Sequence, residues 1–172
     1  MPAEVLGPSG KVYATDIDPE ALKRTRENLT SNAGPNAAPV ETLLASSPRD
    51  TGLEALPDGS VQVMVMINSV YFETEQPVEG ARAYMARFLQ KLAPGGRLIY
   101  HFDWIQPQRL TRAALVSLFV SAGFSPKVVD VPLPEHIPAD TYVLPGGPRN
   151  NPVPLERGFI AVFERPGGAP AS

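Results

Sequence analysis

Cysteine is absent from this 172-residue sequence, which excludes disulfide frameworks, thiolate zinc sites and thiol nucleophiles at once. Histidine is scarce: His101 and His136 are the only two, too few for a multi-histidine metal centre without carboxylate help, so no metal site is expected. Long apolar runs are missing too. The longest, Val61 to Ile67, contains Gln62 and falls far short of the roughly 20 residues that a membrane-crossing helix needs. Pro2, Glu4, Gly7 and Pro8 break up the start, so no secretory signal is read there. Nor is there a cluster of basic residues. Fifteen Lys and Arg against eighteen Asp and Glu leave a net charge of −3, which argues against binding phosphate-rich nucleic acid. These absences predict a soluble, cytoplasmic protein that works on neither membranes nor nucleic acids.

What is there is globular in balance, with 43% hydrophobic and 19% charged residues, and the length suits one domain. Twenty prolines and fourteen glycines amount to about a fifth of the chain, well above ordinary usage. Gly7-Pro8-Ser9-Gly10 marks a turn into a β-prone run, Lys11 to Thr15. Asp18-Pro19-Glu20 then opens a helix: aspartate caps, proline suits the first helical position, and glutamate complements the dipole. Ala21, Leu22, Thr25 and Leu29 recur at helical spacing, and Asn32 to Pro35 should end the element. Val40 to Ala45 reads as a strand, followed by a polar loop, Ser46 to Gly52. Val61 to Ile67 is apolar at both parities, which predicts burial on both faces.

Pro77 starts a second helix with Val78, Ala81, Met85, Phe88, Leu89 and Leu92 on one stripe, stopped by Pro94-Gly95-Gly96. Leu98 to Phe102 is the next strand. Thr111 caps a third helix carrying Leu115, Leu118, Phe119 and Ala122, closed by Gly123. Lys127 to Val131 and Phe159 to Phe163 are two last strands, expected to pair antiparallel at one edge because no helix separates them. Between them, 132–157 is a proline-rich stretch without periodicity, and 166–172 reads as a disordered tail. Alternating strands and helices predict one α/β domain over residues 1–165, with a mostly parallel, Rossmann-like sheet, helices on both faces and an antiparallel closing pair.

Three segments in this order resemble the class I S-adenosylmethionine-dependent methyltransferases. Val12 to Leu22 is similar to the family's second strand with an acidic residue at its tip. Leu56 to Val61, continuing to Asn68-Ser69-Val70-Tyr71-Phe72, is similar to the turn and fourth strand. Leu92-Ala93-Pro94-Gly95-Gly96-Arg97-Leu98 is similar to the turn into the fifth. The family's opening strand and its E/D-x-G-x-G turn do not precede Asp16. Three readings of that gap stay open: a start further upstream, a fragment, or a sheet closed in another way. A sheet left open at its centre also favours association into homo-oligomers.

The resemblance implies S-adenosylmethionine as cofactor and methyl transfer to an acceptor, here expected to be a small molecule. Asp16, at the carboxyl end of a strand, is placed to accept both ribose hydroxyls, against the plainer role of a turn aspartate. Ile17 would lie against the adenine, or in the core. Ser46 and Ser47 follow the strand whose end lies near the adenine amino group, or they serve only their own loop. Asn68 and Ser69 would face the methionine part and the acceptor. His101 is a candidate proton acceptor, its alternative being a hydrogen-bonded strand residue. Tyr71 would touch acceptor or cofactor, or simply pack. Two other classes remain in play: a nucleotide-binding oxidoreductase using NAD on the same Asp16, and a non-catalytic or truncated module acting as a partner.

Overall fold

The structure, a computed structural model, describes residues 6–32, 34–47, 50–67, 78–105, 112–132 and 156–167. It divides into two compact units, Met1–Pro57 and Asp58–Ser172.

In the first unit β1 (Val12–Asp16), α1 (Pro19–Asn32) and β2 (Val40–Leu44) form a β-α-β turn, with β1 and β2 parallel from Val12 opposite Val40 to Asp16 opposite Leu44. The helix starts where the sequence says it should: the Glu20 amide donates to Asp18 Oδ1 at 2.9 Å, using a side-chain oxygen to satisfy an orphan N–H. Leu22 is the buried anchor of α1, and Ala38, Ala45, Leu53 and Leu56 are buried in the same unit.

The second unit holds β3 (Val61–Ile67), α2 (Val78–Lys91), β4 (Leu92–Ile105), α3 (Arg112–Ser121), β5 (Ser125–Pro132) and β6 (Glu156–Glu164). Its sheet runs β3-β4-β6-β5, parallel between β3 and β4 and antiparallel elsewhere. The expected antiparallel pairing of the last two strands is present, with β6 filling the space between β4 and β5 so that β5 is outermost. β6 begins at Glu156, earlier than the expected Phe159, because β4 runs on to Ile105 and offers Glu156 a ladder partner. The core is aromatic and aliphatic, with Phe119, Phe163, Met85, Leu92 and Leu98 fully buried.

One expectation is overturned. β3 is not buried on both faces: Met64 and Met66 are buried, whereas Val63, Val65 and Ile67 are 56%, 52% and 58% exposed. The strand is the edge of its sheet, and only the methionine face of it is packed within its own unit. Continuous apolarity therefore marks a strand here without marking its cover.

Pro94-Gly95-Gly96 does not separate helix from strand: α2 ends at Lys91, β4 opens at Leu92, which was expected on the helix's stripe, and the three residues form an excursion inside β4. Leu92 pairs with Val61 and Arg97 with Val63, so the residues between them loop out of the ladder. Gly95 has φ +74°, its amide donates to the Arg165 carbonyl at 3.0 Å, and the Arg165 amide donates to Gly96 O at 2.9 Å. A Cβ on Gly96 would lie 2.7 Å from the Ala93 carbonyl oxygen and 3.1 Å from that of Val61, both backbone atoms with little room to yield. Gly96→Ala is therefore expected to destabilise the fold by about 1–3 kcal/mol, read as a lower urea midpoint at unchanged slope.

The C-terminus of α2 is held from two sides. Arg165 Nη1 donates to the carbonyls of Leu89, Gln90 and Leu92, and Asp58 accepts from Gln90 Nε2 at 2.7 Å and Lys91 Nζ at 2.9 Å. The Lys91 hydrogen bond keeps the Asp58 carboxyl below its ordinary 3.8, against an opposing desolvation and with help from the Gln90 hydrogen bond. A depressed carboxyl contributes stability above its unfolded value and loses it as acid protonates the folded form. The stability that this contact contributes should therefore be present at neutral pH and be lost as pH falls below 3.8, so Asp58→Asn should flatten that part of the acid limb in stability measured against pH.

Candidate functional site

Parallel strands gather their chemistry at their carboxyl ends, because the loops that follow emerge there. At that end of the first unit stands Asp16, exposed, as the last residue of β1. Its carbonyl accepts the Ala45 amide at 2.9 Å, tying the two strand ends together. Its carboxylate Oδ1 accepts the Asp18 amide at 2.9 Å. A carboxylate offers about four acceptor positions, so this turn contact leaves most of its capacity facing outward. Ile17, next in sequence, is 52% exposed, an apolar side chain held beside the carboxylate and not in the core.

Ser46 and Ser47 follow β2 at the same end. The Ser46 hydroxyl donates to Asp50 Oδ2, and the Asp50 amide donates to the Ser47 carbonyl at 3.0 Å. The loop then locks down. Glu54 Oε1 accepts both the amide and the hydroxyl of buried Thr51 at 2.8 Å, and Thr51 Oγ1 accepts the Leu53 amide. Gly52, at φ +72°, passes so close that a Cβ would lie 3.1 Å from Thr15 Cβ. The structure thus brings Asp16, Ile17, Ser46 and Ser47 to one end of one β-α-β turn. It adds Asp50, which the sequence reading passed over as one polar residue of a loop.

In the second unit His101 sits in β4, opposite Ile67 at the carboxyl end of the parallel β3–β4 pair and opposite Ile160 of β6. It is partly buried, with Nε2 shielded from solvent and outside any hydrogen bond, while the residue makes other interactions. Asn68 and Ser69, which follow β3 directly, and Tyr71 lie outside the described residues, as do His136 and the core of the proline-rich stretch. Among the described residues there is no group of three or more His, Cys, Asp or Glu able to hold a metal ion. None of their helices is long and apolar enough to cross a membrane.

No protein-family model and no curated protein matches the sequence, so likeness to known proteins rests on structure. A SAM-dependent methyltransferase from Methanosarcina mazei superposes with a TM-score of 0.61 at 15% identity, over 92% of this chain and 83% of that one. A SAM-dependent methyltransferase from Aquifex aeolicus gives 0.63 at 17% identity, over 95% and 73%. A methyltransferase from Pyrococcus furiosus gives 0.53 at 15% identity, over 91% and 63%. At these identities the likeness establishes the fold: this chain has the Rossmann-like α/β fold of the class I methyltransferases.

Proposed function

We propose that this chain binds S-adenosylmethionine at the carboxyl ends of β1 and β2 and promotes transfer of its methyl group to a small-molecule acceptor. The observation that carries this is Asp16: an exposed carboxylate at the end of a parallel strand, anchored by one turn contact, with acceptor positions left for a vicinal diol. The donor set fits the group. Asp16 would take the ribose hydroxyls, Ile17 offers an apolar surface to the adenine, and Ser46 and Ser47 stand at the end of the neighbouring strand. Asn68 and Ser69, continuing from β3, would serve the methionine part and the acceptor. When bound, the cofactor supplies an electrophilic sulfonium methyl with a neutral thioether as leaving group.

The protein's share of such a reaction is mostly orientation, which is why no conspicuous catalytic dyad is required. His101, at the carboxyl end of the β3–β4 pair, would take the proton of an acceptor that must lose one, and Tyr71 would help to seat that acceptor. A small molecule is favoured as acceptor because the net charge of −3 and the lack of a basic run offer nothing to a phosphate backbone. The donor is a cytoplasmic metabolite, and the reading places the protein there.

Titration calorimetry with S-adenosylhomocysteine and NAD decides among the classes. Saturable binding of the first and none of the second supports the proposal. NAD binding alone would make the chain an oxidoreductase module, and silence with both ligands would leave a non-catalytic partner.

A further inference from the structure

The two edges of the four-stranded sheet differ in how they are protected. β5, the edge on one side, carries the features that keep a sheet from pairing with a neighbour: Pro126 and Pro132, which have no N–H to donate, the exposed Lys127, and two bulges of its own in the ladder with β6. β3, the edge on the other side, has none of these. Its seven residues, Val61–Ile67, include no proline, no glycine and no ionisable side chain. The one irregularity in its ladder is the excursion of β4, so 63–67 run regularly. Among the described residues only its β4 side is paired, and alternate N–H and C=O groups along its outer side therefore face away from the sheet. On one face of the strand Val63, Val65 and Ile67 are each more than half exposed. Such β-branched side chains are the ones that cross-strand pairs favour.

We propose that β3 pairs with β3 of a second copy of this chain, antiparallel about a two-fold axis at Val65, so that two four-stranded sheets become one of eight strands. Charge favours this occupant: an edge without an ionised side chain meets its own copy with no like-charge repulsion. Symmetry favours it too. Pairing β3 with itself closes the assembly, whereas pairing it with any other edge is heterologous and leaves another β3 open. The exposed row sets the register. Opposite residues of an antiparallel pair share a face, so an axis at Val65 sets that residue opposite its own copy and Val63 opposite Ile67 of the second copy. All three exposed side chains are then paired; an axis one residue away in either direction leaves one of them out. The joined sheet ends on both sides in β5 and presents only protected edges. The pairing involves neither Asp16 nor its ligand.

The lack of cysteine lets the register be tested one position at a time. In sedimentation equilibrium the whole chain should approach twice its 18.5 kDa mass in the micromolar range. Under mild oxidation Val65→Cys should link to its own copy. Val63→Cys and Ile67→Cys should each stay largely unlinked alone, and an equimolar mixture of the two should form the mixed disulfide. Val120→Cys, similarly exposed on α3, measures linkage by collision. Val65→Lys sets two ammonium groups opposite each other and should weaken the dimer at least about tenfold. If that variant fails to fold, the cysteine pattern carries the test. A wild-type chain that stays monomeric at every concentration overturns the proposal and leaves the edge to a strand from a different protein. A dimer in which Val65→Cys links no faster than Val120→Cys overturns it as well, because the copies then meet elsewhere.

Discussion

Phe119→Ala is expected to cost about 3–5 kcal/mol of stability, the upper range for emptying a core position. Phe119 comes from α3 and is fully buried. Its ring lies flat on Phe163 of β6, with centroids 4.2 Å apart and planes 5° from parallel. It also meets the rings of Tyr100 and Phe124 edge-on, at 5.3 and 5.6 Å. One truncation therefore strips a contact from the helix, from the central antiparallel strand, from β4 and from the turn after α3. Globular domains hold only about 5–15 kcal/mol in total, so the variant should sit near the edge of folding at 37 °C. Calorimetry reads this as a large drop in midpoint. Phe119→Leu keeps most of the volume and should lose about half as much or less. A loss under about 1 kcal/mol for alanine would mean that the aromatic cluster is not packed as described.

The second large effect is on binding. Asp16→Asn should weaken S-adenosylhomocysteine about 10- to 100-fold, because hydrogen bonds to a charged group are worth about 1.5–3 kcal/mol and each 1.4 kcal/mol is tenfold. The amide oxygen can still accept the Asp18 N–H, so the turn between β1 and α1 should hold and the thermal midpoint should barely move. Asp18→Ala supplies the contrast. It removes the Oδ1 that caps the Glu20 amide, and should cost about 1 kcal/mol of stability with little change in affinity. Two aspartates with one residue between them would then separate cleanly, one acting on ligand and one on fold.

How much of this was legible beforehand follows from how local each interaction is. The start of α1 could be read outright, because Asp18, Pro19 and Glu20 act on their own backbone. The carboxylate at the end of β1 was legible for the same reason: a strand that stops at Asp16 must present it at that end. β3 was legible as a strand but not as an edge. Val63, Val65 and Ile67 carry the same apolar signature whether or not another layer covers them, and cover is decided by partners far away in sequence. The place of β6 between β4 and β5 is set by long-range pairing of the same kind, such as Trp104 opposite Arg157. Asp50 escaped notice because its contact with Ser46 exists only once the loop has closed. Asn68, Ser69 and Tyr71 lie outside the described residues.

A double cycle on one hydroxyl goes to the centre of the account. Wild type and Asp16→Asn are each titrated with S-adenosylhomocysteine and with its 2′-deoxy counterpart. Deleting the hydroxyl should cost wild type about tenfold or more in affinity and the variant almost nothing, since the oxygen that grips it is already weakened. Equal penalties in both proteins would contradict the assignment, for they would show that the sugar is held by something other than the carboxylate at the end of β1.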